Sequence, residues 1–378
     1  MRFLHTADWH AGKLLRGRSR LDELEAIGAE LLDLAGRERV DCLLFSGDLF
    51  DSQAPAPDAE RLVYHFFAEL VSRQIHAVVI AGNHDHPKRL SAIRQILEPL
   101  HLHIRAEPSR PAEGGVIQIS RNGETAIIAA LPFVAERKIV DIETMLGPEE
   151  SRYSAYSDVV GRLARALCDS FSAATINLLV AHLYVHGAEV TGSERAIHIS
   201  DPYAVSAAAF PVEAQYVALG HLHRPQKIDA AAPALYSGSP LQLDFGELGE
   251  EKRVVLIDAH PGRPAHIESI PLSSGRRLRD VAGTLHELAR LHCGDDFLRV
   301  TVRTGGPDPG VAAQVRELLP NAVDIRSEYP RPDPVPVARA AALSPEELFA
   351  AFYRQRFETD ASEEIAAAFR SLYEEASS

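Results

Sequence analysis

The chain has 378 residues, 46% of them hydrophobic, enough for one large core with a smaller one attached. No apolar run reaches the roughly 20 residues that span a bilayer, the opening MRFLHTADWH has no secretory pattern, and Cys42, Cys168 and Cys293 lack metal or redox spacing, so a cytoplasmic protein without membrane association is expected. The formal charge of -14 speaks against a free-standing nucleic-acid binder, unless bound cations, a local basic strip or a partner protein offsets it.

In chain order, short runs rich in Val, Ile and Leu predict strands at Arg2–Ala7, Cys42–Ser46, His76–Ala81, Ala126–Leu131, Asn177–Ala181 and Tyr216–Leu219. Helical patterns at Arg20–Arg37 and Ala59–Arg73 lie between them. This alternation indicates a layered α/β domain whose sheets are covered by helices. Past Pro261 the texture changes. Helices are expected at Asp280–His292 and Gly310–Leu319, and strands at Phe297–Thr304 and Ala322–Glu328, which together fit a small α/β domain. The Pro-rich run from Arg331 to Pro336 predicts an extended linker.

Two short helices should follow. Ser344-Pro345-Glu346-Glu347 is a capping box with Pro at the first helical position, and Asp360 with Glu363 marks a second start. Leu348, Phe349, Phe352, Tyr353 and Phe357 fall on one face of the first helix, and Ile365, Phe369, Leu372 and Tyr373 on one face of the second. Such a pair has little core of its own, so these aromatics either pack internally or dock on a partner.

Five segments at predicted strand ends carry the chemistry: Asp8-Trp9-His10, Gly47-Asp48, Gly82-Asn83-His84-Asp85, His182 and Gly220-His221-Leu222-His223. Each alone is weak; Asp8-x-His10 would usually be a surface turn and His182 a satisfied strand-end histidine. Together they fall where open α/β sheets gather ligands, outside the carboxyl ends of the strands. Carboxylate, imidazole and amide oxygen without thiolate suit Mn(II), Fe(II) or Zn, and a central carboxylate can bridge two ions for phosphoryl displacement.

This ordered set resembles the calcineurin-like metallophosphoesterases over roughly residues 1–258. The resemblance implies a layered β-sandwich flanked by helices. It also implies that Asp8, His10 and His223 hold one metal, that Asn83, His182 and His221 hold the second, and that Asp48 bridges them. His84 would be the non-ligand histidine at the scissile phosphate, oriented by Asp85. The loops Gly187–Arg195 and Tyr236–Glu247, with the tail from Leu343 to Glu375, are similar to those of SbcD-type nuclease subunits, which work with an SbcC-type ATPase. That likeness implies a nuclease domain over 1–272, a capping domain over 273–330, and a linker with ATPase-binding helices over 331–378. It further implies two Mn2+ (with Fe2+, Zn2+ or Mg2+ as alternatives), exonuclease and endonuclease action on double-stranded DNA ends and hairpins, a role in DNA repair and recombination, and a homodimer joined to the ATPase as a heterotetramer. One departure stands out: Asp51 follows the Gly-Asp-Leu-Phe run where archaeal and eukaryotic relatives often carry histidine.

Arg16, Arg18 and Arg20, and Arg276, Arg277 and Arg279, are the candidate DNA contacts, with ordinary surface arginine as the alternative for each. Phe349, Phe352, Tyr353 and Phe357 are the candidate partner contacts. Ala59–Arg73 and Arg89–Leu97 are candidate dimer helices whose apolar faces equally suit core. His5 reads as core, and His86 and His186 as neighbours of the site. Competing functions are a phosphoesterase acting on a non-DNA phosphoester and a non-catalytic scaffold; the tail argues against the first and the intact ligand set against the second.

Overall fold

Side-chain alternation along the strands explains the architecture. In the first strand Phe3 turns to one face and Leu4 to the other; in the second core strand Cys42 and Leu44 share the face of Phe3 while Leu43 and Phe45 share that of Leu4. Strands apolar on both faces need cover on both sides. The computed structural model describes residues 1–135, 139, 156–194, 203–330 and 343–377, and it supplies that cover. The expected linker lies outside these residues.

The elements run β1 (Arg2–Thr6), β2 (Leu14–Leu15), β3 (Arg18–Ser19), α1 (Leu21–Arg37), β4 (Cys42–Ser46), α2 (Pro57–Ser72), β5 (His76–Ile80), α3 (Pro87–Leu97), β6 (Leu102–Arg105), β7 (Val116–Arg121), β8 (Glu124–Leu131), α4 (Tyr156–Cys168), β9 (Ile176–His182), β10 (Tyr216–Gly220), β11 (Gln226–Ile228), β12 (Ala234–Tyr236), β13 (Arg253–Asp258) and β14 (His266–Pro271). After these come β15 (Leu278–Gly283), α5 (Leu285–Leu288), β16 (Phe297–Arg303), α6 (Val311–Leu318), β17 (Ala322–Glu328), α7 (Pro345–Phe357) and α8 (Glu363–Ser377). One six-stranded sheet has the order β14-β13-β1-β4-β5-β6, the other β11-β12-β10-β9-β8-β7.

Their inner faces meet in a core containing Phe3, Leu44, Val78, Ile128, Leu178 and Val255. Ile27, Leu31, Val63 and Phe67 of α1 and α2 cover the first sheet from outside, and Val159, Leu163 and Leu167 of α4 cover the second. The result is a helix–sheet–sheet–helix sandwich, as expected. The central strands β1, β4 and β5 pair in parallel, as do β8, β9 and β10, so their carboxyl ends gather on one edge.

The third sheet, β15-β16-β17, contains one departure. The segment expected to be helical over 280–292 is a strand through Gly283, paired in parallel with β16, followed by only the short α5. Residues 1–302 and 310–326 form one compact unit and 303–309 with 327–378 another. In the first unit, Leu15, Phe245, Leu278 and Phe297 bury together, and Arg20 and Arg276 lie over the Phe297 ring at 5.5 and 5.0 Å.

In the second unit, α7 opens with the expected capping box: Ser344 Oγ accepts from the Glu347 N–H at 3.2 Å and the Glu347 carboxylate from the Ser344 N–H at 2.7 Å. The second start is displaced. Ser362, not Asp360, accepts from the first turn of α8, while Asp360 takes Arg354 at 2.5 Å. Phe349 stacks on Phe369 with centroids 4.2 Å apart, and Tyr353 lies beside Phe349. Phe349 is thus engaged within the helix pair, while Phe352 and Phe357 are more than half exposed.

Candidate metal centre

Each motif starts where a strand stops, and the loops that follow hold unusual backbone. Asp8, His10, Asp48 and His221 have φ of 54°, 47°, 52° and 108°, a left-handed region that side chains seldom occupy and that surrounding structure must enforce. Here it is enforced by hydrogen bonds between loops. The Asp8 N–H donates to Gly47 O at 3.0 Å, the His10 N–H to Asp48 O at 3.1 Å, and the His221 N–H to both Asp8 carboxylate oxygens at 3.0 and 3.1 Å. Gly47 must be glycine: its φ is 91° and a Cβ would stand 2.3 Å from His182 Nδ1. Trp9, between two site residues, turns away into the outer core against Phe45 and Phe66 and anchors the loop.

These loops bring Asp8, His10, Asp48, Asn83, His182, His221 and His223 together, all buried. His10 Nε2 and His223 Nε2 face one another at 3.1 Å. Asn83 Oδ1 lies 3.0 Å from both His182 Nε2 and His221 Nδ1. Asp48 Oδ2 sits between the two groups, 3.6 Å from His10 Nε2 and 3.5 Å from His182 Nε2. Burial lowers the pKa of His182 and brings that of His10 to about 4, which favours the neutral rings whose lone pairs a cation needs. Burial and the neighbouring Asp48 push Asp8 well above the usual carboxylate range. Burial opposes charge on Asp48 too, but His182, His10 and His84 outweigh it and hold Asp48 below that range.

Converging imidazoles, carboxylates and an amide oxygen fit a divalent cation. Donor atoms of Asp8, His10 and His223, of His10, Asp48 and His84, and of Asp8, Asp48 and His182 each lie within 4.8 Å of one another. A further buried polar atom, His10 Nδ1, lacks a hydrogen-bond partner. The nearest charged group to it is the Asp51 carboxylate, with Oδ1 at 3.3 Å.

Supports behind the ligands come from residues that motif reading did not single out. His182 Nδ1 donates to Ser46 O at 2.8 Å. His223 Nδ1 lies 2.6 Å from Ser193 Oγ, which is 2.5 Å from Glu247 Oε1. Glu247 is fully buried and pairs with Lys252 at 2.6 Å. Burial opposes its charge, but Lys252 and His223 bring its pKa down to about 2. Glu194 accepts the backbone N–H groups of His223, Thr191 and Gly192. Phe133 lies parallel to the His221 ring at 6.3 Å and edge-on to His182 at 6.2 Å. The loops carrying Ser193 and Glu247 were legible as family resemblance, and their shared contact with His223 is a physical reason for their composition; Arg195 lies outside the described residues.

Several expectations change. The Asp85 carboxylate accepts the N–H groups of Gly82, Phe50 and Leu49 at 2.9, 3.1 and 3.2 Å and so ties two loops together. Burial and Asp48 push its pKa up to about 7. The His84 ring is held by the Asp51 backbone carbonyl, 2.7 Å from Nδ1. Asp51 pairs with Lys13 at 3.3 Å; burial works against its charge, but His10 and Lys13 bring its pKa to about 2. Arg20 is buried and unavailable to DNA, bonded to Glu23 at 2.7 Å and to the Gln242 carbonyl. Arg16 is half exposed between Asp244 and Asp324, and Arg18 and Arg277 are exposed. His5 lies inside the sandwich between Tyr216 Oη at 2.8 Å and Ser46 Oγ at 3.0 Å. His186 is exposed and His86 partly buried. Of the candidate dimer helices, α2 turns Val63, Phe66, Phe67 and Leu70 into the core, whereas α3 buries only Leu90.

Residues 1–225, more than half of the chain, match the family model for calcineurin-like phosphoesterases, which defines the class. Residues 274–357 match the model described as the type 5 capsule protein repressor C-terminal domain. Among curated relatives, the SbcD subunit of nuclease SbcCD from Bacillus subtilis is 38% identical over 280 residues, covering 74% of this chain and 71% of the relative. Its counterpart in Rhodobacter capsulatus is 34% identical over 388 residues, covering 93% and 94%, and that in Escherichia coli K12 is 32% identical over 275 residues, covering 71% and 68%. The chain belongs to the calcineurin-like phosphoesterase family, in the branch whose curated members are the SbcD subunits of nuclease SbcCD.

Proposed function

We propose that this chain is the DNA-cutting subunit of an SbcC–SbcD-type complex, a two-metal phosphodiesterase that uses manganese and acts as exonuclease and endonuclease on double-stranded ends and hairpins. The observation that carries the reading is the buried convergence of His10, His223, His182, His221, Asn83 and Asp48 at separations of 3.0–3.6 Å. Asp8, His10 and His223 would hold one cation, Asn83, His182 and His221 the other, and Asp48 both. Bound there, such a pair lowers the pKa of water and neutralises charge on a phosphoryl group.

The chain's own contribution is to position and to move a proton. Because the Asp51 carbonyl accepts the Nδ1–H of His84, that nitrogen stays protonated in both charge states and exchange falls to Nε2. A proton delivered from Nε2 to the departing sugar oxygen accounts for roughly 100- to 10,000-fold in rate. Asp85 fixes the Asp48 loop against the Gly82 turn, which keeps His84 in register with the metal ligands. Arg16, Arg18 and Arg277 remain candidates for the phosphate backbone, and the 273–330 segment for the cap beside the cleft. In the assembly we propose, two copies pair, with the exposed Ile96 of α3 available to that contact, and α7 and α8 bind the ATPase. Cellular work in DNA repair and recombination in the cytoplasm follows from the same reading.

The test is cleavage of a hairpin-ended duplex by the purified chain with manganese, alongside Asp48→Ala and His84→Gln. Manganese-dependent cutting is expected, lost in both variants, with His84→Gln still binding its metal. No cutting alongside hydrolysis of a small phosphodiester would move the function to a non-DNA phosphoester.

A further inference from the structure

A histidine that gives one ring nitrogen to a cation must have the other held, and the partner of that far nitrogen tunes the ligand. The histidines of this centre are held unequally. Behind His182 stands a neutral dipole, the Ser46 carbonyl at 2.8 Å. Behind His10 the Asp51 carboxylate Oδ1 lies 3.3 Å from Nδ1, with no hydroxyl between them and no hydrogen bond of good geometry. Behind His223 stands a charged chain: Nδ1 is 2.6 Å from Ser193 Oγ and 3.3 Å from Glu247 Oε1, and Ser193 Oγ is 2.5 Å from the same Oε1. Glu247 Oε2 in turn meets Lys252 Nζ at 2.6 Å and accepts the Leu243 N–H at 3.1 Å.

Proton counting fixes the direction of this chain. An ionised Glu247 can only accept, and the bond to its Oε1 at 2.5 Å is shorter than the 2.8 Å contact with Thr191 Oγ1, whose own hydrogen goes to Glu194, so the single hydroxyl hydrogen of Ser193 goes to Oε1. The Ser193 oxygen then accepts, and the nitrogen beside it must bear hydrogen. His223 is left with Nδ1–H and a bare Nε2, the nitrogen that faces His10.

We propose that Ser193 and Glu247 are positioning residues that lock His223 in this tautomer and raise the basicity of its Nε2, selectively strengthening the cation position that His223 serves. The inference rests on the two-cation reading above. It gives the loops over 187–194 and 236–247 a specific task, since one supplies the hydroxyl and the other the carboxylate for a ligand that belongs to neither.

The test is manganese binding to the full chain stripped of metal, with free Mn2+ followed by electron paramagnetic resonance. Wild type should take up two equivalents. In Ser193→Ala one equivalent should weaken by about 10–100-fold while the other is unchanged. Ser193→Thr, which keeps the hydroxyl, should restore it. Glu247→Gln should weaken the same equivalent, but it strips the buried Lys252 of a partner and can fail to fold, so the Ser193 pair decides. Unchanged binding of both equivalents in Ser193→Ala, or equal loss of both, would overturn the relay alone. Fewer than two equivalents in wild type would overturn the two-cation reading and the relay with it.

Discussion

The metal centre and the C-terminal helix pair are stabilised by opposite means. In the centre every proposed ligand is buried, four sit in left-handed backbone, and their hydrogen bonds join positions up to 213 residues apart. In the helix pair no described side chain of α7 is buried, and what holds the helix is local: a capping box at one end and stacked rings along one side. The centre is therefore a product of tertiary packing and tolerates little, while the helices form from neighbouring residues and leave apolar surface exposed. Leu348, Phe352, Phe357 and Leu372, all exposed, are that surface.

The largest expected effect comes from removing residues 337–378. Capture of an SbcC-type ATPase should be abolished, while cutting of a hairpin substrate by the remaining chain continues. Co-purification of the shortened chain with the ATPase would break the assignment of the exposed aromatics; loss of basal cutting would break the separation between the two regions. Second in size is Gly220→Ala. A Cβ at Gly220 would stand 1.9 Å from the backbone oxygen of Ser46, where the two sheets approach beside the ligands. Backbone cannot give as a flexible side chain can, so the cost should reach the upper end of the about 1–3 kcal/mol seen for overpacked cores. Urea unfolding measures it, and an unchanged midpoint would show that the two sheets separate more easily than this contact implies.

Legibility in the sequence follows the same division. Ligand chemistry admits few residue types, and each ligand ends or follows a short apolar strand, so the Asp8, Asp48, Asn83, His182 and His221 segments stood out as a set. The core strands β1, β4, β5, β9 and β10 were visible for the same reason. What could not be read was pairing between distant residues. Arg20 looked like one of three surface arginines, but it meets the Gln242 carbonyl 222 positions away. Nor could the sequence show that Asp85 accepts the Leu49 and Phe50 N–H groups, 36 and 35 positions earlier. Val281, Leu285 and Leu288 imitate a helical spacing, but parallel pairing of Leu278–Gly283 with Phe297–Val302 overrides it. Ser193 and Glu247 carried no signal by themselves because only the fold puts both against His223.

Local structure gives the smallest effect and the sharpest contrast with Gly220. Ser344→Ala removes the hydroxyl that accepts the Glu347 N–H and leaves that donor to water. Loss of a cap costs roughly 1 kcal/mol of helix stability. Amide hydrogen exchange over Pro345–Phe357 should accelerate about fivefold, the rate equivalent of that energy. Ser344→Asp, which keeps an acceptor at the same place and adds charge at the helix N-terminus, should restore protection. Equal exchange in Ser344→Ala and the parent chain would mean that the stacking of Phe349 on Phe369, not the capping box, holds this helix.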